Sequence, residues 1–375
     1  MSRDKPDNSA LRIPHSALDL SVVIVSWNVW DLLRACLRSL EQVSRPAEAA
    51  GAQWRYFGPT TEQCKLEVIV VDNASRDATP DLIPSQFPWV RLVRSAENLG
   101  FTRGNNQGYA VSNGQFLFFL NPDTEIINRK PVNTAPLSQE TQAAFPTTNA
   151  DSLWTLFTAL RDDPTIGMVG PQLRYADNTL QSSRRRFPTP LTGFLESTWL
   201  GRWWPNNPWA QRLHLADWPA TFRQDVDWLV GAAMLARREA LEAVRMTEFA
   251  GPFDEDFFMY SEELDLGKRL KQAGWRIVYV PEALIVHYEG RSSEQVVAAR
   301  HIYFNTSKVY YYEKYFGVRW ATLLRTYLLL EFRLQILEER LKRSLRHQPA
   351  LRTKRIEAYR QVLASGLQTK SQGKH

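Results

Sequence analysis

The chain has 375 residues, 44% of them hydrophobic, which is ample for a large buried core. A formal net charge of +6 and a pI near 9.3 favour contact with anions: nucleotide diphosphates, anionic lipid or nucleic acid. The two cysteines, Cys36 and Cys64, exclude a disulfide framework and a zinc pattern, and no uninterrupted apolar run is long enough to span a bilayer.

Residues 1–19 are polar, with Pro6 and Pro14 and no apolar signal core, so export is not expected and a reducing, cytoplasmic compartment fits. Ser21 to Ser26 (SVVIVS) is a β-branched apolar run that predicts a buried parallel strand. A helix follows, with Leu32, Leu33, Cys36, Leu37 and Leu40 on one face, which makes Cys36 a core residue. Residues 44–65 lack clear periodicity and predict a loop insertion. Leu66 to Val71 is the second strand, Ala78 to Ile83 a short helix stopping near Pro84, and Val90 to Arg94 the third strand. Asn105 to Ser112 predicts a helix, and Gln115 to Leu120 a fourth strand. Residues 128–149 read as an inserted loop, and 189–218 are dense in Pro and Trp without a clean period. Val226 to Ala236 is a buried segment around Gly231. Ser261 to Ala273 is a helix stopped by Gly274. Arg276 to Val280 is a strand closed by Pro281, with a further short one at Leu284 to His287. Beyond Ser293 the chain reads as helical.

Strands alternating with helices imply a doubly wound, mainly parallel α/β sheet, in which ligands sit beyond the carboxyl ends of the strands. Three predicted strands end in polar residues: Ser26-Trp27-Asn28, Asp72-Asn73-Ala74-Ser75 and Asn121-Pro122-Asp123. Their tips converge on one crevice.

Asp123 follows a buried strand, where one carboxylate suits a hard divalent cation bridging to a diphosphate; a simple Asn-Pro-Asp turn is the other reading. Glu262, Glu263 and Asp265 share one helical turn. Macrodipole pairing and an Asp265–Arg269 ion pair account for two of these acids and leave Glu263, which suits a general base. His287 closes a strand, either as a structural hydrogen-bonder or as a neutral imidazole ligand. Asn98 to Gly108 (NLGFTRGNNQG) is glycine-rich around Arg103 and lacks the dinucleotide spacing; it reads as a connector or as a close backbone approach to phosphate. Arg184-Arg185-Arg186 is a solvated basic run or an anion contact.

In order, SVVIVSWN, VIVVDNASRDAT, NLGFTRGNNQG, FLFFLNPDTEI, VDWLVGAAMLARR and GPFDEDFFMYSEELDLGKRL…VPEALIVHYEG resemble the inverting family 2 glycosyltransferases of GT-A fold, most of all their bacterial rhamnosyltransferase-type members. The resemblance spans about Leu20 to Ser293. It implies a catalytic domain over 20–293 and a helical extension over 294–375. It also implies that Asp72 hydrogen-bonds the nucleobase, with Ser26 and Asn28 lining that end, and that Asn98, Gly100, Phe101, Arg103 and Asn105 border the donor's base, ribose or diphosphate. Asp123 matches the last acid of the metal motif, here without its first acid. His287 matches the histidine that completes Mg²⁺ or Mn²⁺ binding. Glu263 stands at the catalytic base, a position usually held by Asp, and Asp265 at a supporting acid. Trp228, Gly231 and Ala232 would shape the sugar pocket.

The expected reaction is metal-assisted single displacement with inversion, from a nucleotide-sugar donor to a hydroxyl of a cell-surface glycan or lipid-linked acceptor. The resemblance favours dTDP-L-rhamnose, with UDP-sugars next; the alternative class is a non-catalytic nucleotide-sugar-binding protein. Nucleic-acid binding has only the pI behind it and is not expected. Trp320, Leu323, Tyr327, Leu330, Leu334, Leu337 and Leu341 form a heptad-spaced seam accompanied by arginines. That seam predicts a helix packed on the catalytic domain, then a homodimer contact, then peripheral attachment at the inner face of the membrane.

Overall fold

β-Branched runs set the centre of the sheet. In the computed structural model, which describes residues 18–49, 51–128, 151–288 and 297–369, β1 (Leu20–Ser26) is buried along its whole length. It lies between two parallel neighbours, β4 (Cys64–Asp72) and β6 (Phe116–Leu120). β5 (Val90–Arg94) joins β4 in parallel. The sheet then becomes mixed: β13 (Ala233–Arg237) runs antiparallel between β6 and β8 (Ile166–Arg174), and β14 (Arg276–His287) pairs in parallel with β8 and antiparallel with β11 (Gln224–Asp225). Helices α1 (Trp30–Gln42), α2 (Thr79–Gln86), α3 (Gly100–Val111) and α4 (Ser152–Arg161) follow the strands in the expected α/β order. The doubly wound, largely parallel sheet expected from the sequence is thus present in its N-terminal half. Two large apolar clusters cover its faces, and Cys36 is fully buried in one of them.

Several elements depart from the sequence expectation. Residues 44–65 are not an unstructured insertion: β3 (Arg55–Phe57) pairs antiparallel with the start of β4, and β2 (Ser44–Pro46) pairs antiparallel with β3, extending the sheet. Strands of three residues are too short to show a period. α3 begins at Gly100 rather than Asn105. A Cβ on Gly104 would stand 2.8 Å from Val25 Cγ1, and one on Gly108 would collide with Val23 Cγ1. These glycines serve close helix–strand packing inside a helix rather than a flexible connector. α2 continues past Pro84. β14 also passes Pro281, which sits in a register shift between Val280 and Leu284, where a missing ladder N–H is tolerated. Of the insertion predicted over 128–149 and the tail predicted over 1–19, residues 129–149 and 1–17 lie outside the described residues.

Between β8 and β13 the Trp-rich stretch forms three short helices, α5 (Thr192–Leu195), α6 (Trp199–Trp203) and α7 (Pro208–His214). A separate two-stranded ribbon pairs β10 (Arg184–Arg185) with β12 (Trp228–Leu229). Past α8 (Arg238–Val244) and α9 (Glu262–Gln272), the C-terminal part consists of α10 (Val297–Phe316), α11 (Val318–Ser344) and α12 (Pro349–Ser365). α11 does pack inward, but with a different face from the predicted seam. Ala321, Leu324, Leu328, Phe332 and Ile336 are buried, while Leu323, Leu330, Leu334, Leu337 and Leu341 stay exposed. Both faces carry leucine, so a heptad count alone does not identify the inner one. The inner face joins Phe257 and Leu264 in one cluster with Val309, Tyr311 and Tyr312 of α10.

Candidate active site

The parallel register sets Ser26 beside Asp72 at the carboxyl ends of β1 and β4. Both are buried, and Ser26 Oγ and Asp72 Oδ1 have no hydrogen-bond partner among the described residues. Asp72 Oδ2 accepts from the Ser75 N–H at 3.3 Å. Asn28, in the left-handed region at φ 54°, accepts from the Arg76 N–H at 2.7 Å and donates its own N–H to Ser75 Oγ at 3.0 Å. These bonds lock the β1–α1 and β4–α2 loops together. A buried polar atom left unpaired costs about 1–3 kcal/mol, so these adjacent atoms make a candidate position for a ligand or an ordered water to supply partners.

Asn73 organises the neighbouring wall. Its side chain donates to Asn98 Oδ1 at 3.1 Å and to Gly100 O at 2.9 Å, and accepts from the Leu99 N–H at 3.0 Å. Gly100 sits at φ +80°, and a Cβ there would meet Phe258 O at 2.5 Å; the next residue, Phe101, donates its N–H to the same oxygen at 3.0 Å. The start of α3 is therefore clamped to the segment that leads into α9. Arg103 and Asn105 are engaged within the protein. Arg103 Nε lies 3.2 Å from Glu255 Oε2, and Asn105 donates to Phe101 O at 3.0 Å.

On the other side of β1, the Asn121 N–H donates to Ala232 O at 2.9 Å, which ties the β6 tip to the Gly231 segment. Asn121 Oδ1 is buried without a partner among the described residues. Cys36 lies beneath this loop, its Sγ 3.7 Å from Asn121 O, and burial pushes its thiol up to about 12. β7 (Thr124–Ile126) pairs antiparallel with β14, setting Thr124 opposite His287 and bringing Asp123 against the imidazole. Nε2 of His287 is 3.4 Å from Asp123 Oδ1, and its Nδ1 is 3.0 Å from Gln181 Oε1 of β9 (Leu180–Gln181). Both residues are buried. In the neutral ring a hydrogen on Nδ1 bonds Gln181, and Nε2 then faces a carboxylate with a lone pair, an arrangement that a cation between them satisfies. Among the described residues no group of three or more metal-ligating side chains occurs. Two ligands suffice for Mg²⁺ or Mn²⁺ that takes its remaining oxygens from phosphate and water.

The third wall is the start of α9. Tyr260 and Ser261 both adopt left-handed backbone, at φ 69° and 64°. For non-glycine residues this is strain of order 1–3 kcal/mol each. It turns the chain so that Glu262 and Glu263 open the helix. Glu263 packs on Gly231, where an added Cβ would lie 3.6 Å from the Glu263 Cβ. Burial raises the Glu263 carboxyl above 4.5, opposed by backbone N–H groups including those of Leu264 and Gly231 and by the Arg185 charge. Its Oε2 is buried and unpaired among the described residues, as is that of Glu262, whose carboxyl burial raises well above 4.5 with help from Glu263. Arg185 is pushed down to about 10 by burial and lies over the Trp228 ring. Trp228 in turn donates Nε1–H to Arg186 O at 2.9 Å and packs against Gly267 of α9. Of the basic run, only Arg185 is coupled to Glu263. Arg184 donates to the carbonyls of Pro219 and Trp218, and Arg186 pairs with Asp227.

Asp265 is fully buried, and both its oxygens are taken within the protein. Arg269 Nε donates to Oδ2 at 2.8 Å; Tyr315 Oη and Lys314 Nζ approach Oδ1 at 2.7 and 2.6 Å. It fastens α9 to α10. No sequence pattern links Asp265 to Lys314 or Tyr315, the latter 50 residues away. Gln181 was equally hidden, on a two-residue strand.

Comparison with known proteins bears on this arrangement. Residues 21–130 match the family model described as glycosyl transferase family 2, and 211–301 match glycosyltransferase like family 2. Over 248 residues the chain is 33% identical to the N-acetylglucosaminyl-diphospho-decaprenol L-rhamnosyltransferase of Mycobacterium tuberculosis, covering 63% of this chain and 72% of that protein. The chain belongs to glycosyltransferase family 2. Within this family it is rhamnosyltransferase-like. A rhamnosyltransferase of Escherichia coli K12, WbbL, is 42% identical over 65 residues, 17% of this chain and 22% of that one. A mannosyltransferase of Pyrobaculum calidifontis solved with GDP-Man and Mn²⁺ aligns over 94% of this family 2 chain and 87% of that chain, at 17% identity and a TM-score of 0.46.

Proposed function

We propose that this family 2 transferase moves L-rhamnose from dTDP-L-rhamnose to a hydroxyl of a lipid-linked glycan, with inversion, in a single displacement. The observation that carries the reading is Glu263: a buried carboxyl with a free oxygen, set at the sheet's crevice by a strained turn. The donor and acceptor classes are supported by the M. tuberculosis relative, whose name specifies an N-acetylglucosaminyl-diphospho-decaprenol L-rhamnosyltransferase. Residues 20–293 are the proposed catalytic unit.

In this mechanism Ser26, Asn28 and Asp72 hold the nucleobase end of the donor. Asn98, Gly100, Phe101, Arg103 and Asn105 border it, and Trp228, Gly231 and Ala232 shape the sugar pocket. Glu263 accepts the proton of the acceptor hydroxyl. The acceptor oxygen forms its bond to the anomeric carbon from the face opposite the diphosphate. The anomeric C–O bond breaks, and the nucleoside diphosphate leaves with the electron pair. No enzyme nucleophile takes part. Asp123 and His287 would hold Mg²⁺ or Mn²⁺, which when bound neutralises charge on the diphosphate. Asp265 positions Glu263 by fixing α9 and does not touch substrate.

Titrating a panel of nucleotide sugars, with Mn²⁺, with Mg²⁺ and with chelator, tests the reading. Metal-dependent binding and slow hydrolysis of dTDP-rhamnose are expected. Binding of a UDP-sugar instead would replace the donor, and failure of every nucleotide sugar to bind with either metal would overturn the reading.

A further inference from the structure

The outer face of α11 has no partner among the described residues. Leu323, Leu330, Leu334, Leu337, Leu341 and Leu345 line it, each about half or more exposed. From Leu323 to Leu345 the stripe spans 22 residue steps, about 33 Å at 1.5 Å per residue. Its charge is one-sided. Exposed Arg319, Arg333 and Arg340 follow one edge at spacings of two heptads and one, and exposed Arg343 and Arg346 flank the helix end at Ser344. The acid nearest the stripe, Glu338, is tied to Lys342 on the next turn, while Glu331 and Glu339 are buried on the inner face.

The opposite edge of the stripe is flanked by α6. The Trp199 N–H donates to Glu331 Oε1 at 2.8 Å, one residue from Leu330, and Phe194 packs against Trp320 and Tyr327. Leu200, Trp203 and Trp204 of this stretch are exposed, Trp203 to 74%. Leucine, a row of arginine and outlying tryptophan together match the layering of a bilayer surface: acyl boundary, anionic headgroup and interface. A second copy fits less well. Pairing two such stripes sets like-charged arginine rows near each other with no acid to answer them. No helix among the described residues is long and apolar enough to cross a membrane.

We propose that this face of α11, with the tryptophans of α6, lies in the surface of an anionic lipid bilayer. The proposal extends the reading of a lipid-linked acceptor, but its test uses neither donor nor acceptor, so each fails on its own. The test is co-sedimentation of the full chain with vesicles of phosphatidylglycerol in phosphatidylcholine, against pure phosphatidylcholine, alongside light scattering for mass. Preferential binding to the anionic vesicles is expected, weakening as salt rises. Combined Leu334→Ser, Leu337→Ser and Leu341→Ser should lower binding by roughly tenfold or more, with circular dichroism and donor binding unchanged. Arg319→Glu, Arg333→Glu and Arg340→Glu should abolish the preference for anionic lipid. Trp203→Ser, on a different element, should weaken binding independently. Unchanged vesicle binding by the leucine variant overturns the proposal. So does a dimer that the leucine variant dissolves while the wild-type chain ignores vesicles.

Discussion

His287 and Asp123 meet across an antiparallel ladder, Nε2 to Oδ1 at 3.4 Å, while Gln181 holds the far side of the imidazole at 3.0 Å. If the pair holds the cation, Gln181→Leu should weaken the metal dependence of donor binding by about 10–100-fold. Asp123→Asn should do so more severely. Calorimetric titration of donor at several Mn²⁺ concentrations measures both, and donor affinity indifferent to either change would remove the pair from that role.

Glu263→Gln replaces the proposed base with a neutral isostere. Turnover should fall by about 10²–10⁴-fold, with donor affinity retained. Initial-rate kinetics beside donor titration separates the two quantities, and near-normal turnover would dismiss Glu263 as base.

The pH profile follows from the same residue. In the proposed role Glu263 works deprotonated, and burial raises its carboxyl above 4.5. The acid limb of kcat/KM should therefore lie higher than an ordinary glutamate gives. Arg185 opposes the rise, so Arg185→Gln should move the limb to still higher pH. An unmoved limb would mean that Arg185 and Glu263 do not interact in the working enzyme.

Glu262 links the site to stability. Its carboxyl is raised well above 4.5 in the folded protein by burial and by Glu263. The folded state thus holds this proton more tightly than the unfolded state. Stability from this group is full below 4.5 and is lost as pH rises through the folded value. Glu262→Gln should raise Tm by a few degrees at neutral pH, and the gain should vanish on acidification below 4.5. Thermal melts across that range check it.

Asp265→Ala removes the carboxylate partner of Arg269 and leaves Lys314 paired with Asp254 alone. Breaking a buried pair in this way costs about 3–5 kcal/mol. Urea unfolding should show that loss. Asp265→Asn, which keeps the Tyr315 bond, should lower turnover less than Glu263→Gln does.

The central strands were legible because buried parallel strands are continuous β-branched runs, and SVVIVS or LEVIVV have few other readings. The polar tips were legible for the same reason: Asp72 and Asn121 stand where an apolar run stops. The start of α3 was hidden because Gly100 and Gly104 read as part of a connector, whereas Gly104 is small to admit Val25 and Gly100 to admit Phe258 O. Pro281 read as a terminator because a register shift leaves no mark in composition. The α11 seam was found but assigned inward, since periodicity reports a face and not its direction. The partners of Asp265 and His287 were illegible: Tyr315, Lys314 and Gln181 are brought there by tertiary packing alone.

Asp265 is held from α10, and Phe257 and Leu264, on either side of the strained turn, share a core with Leu324, Leu328 and Val362. On a ribosome the residues flanking Glu263 therefore emerge long before the helices that cover them. A chain stalled after β14 would display Glu263, the proposed base, on an unsupported helix, with its apolar flank open to chaperones and proteases, and the proposed site would be complete only with the last helix.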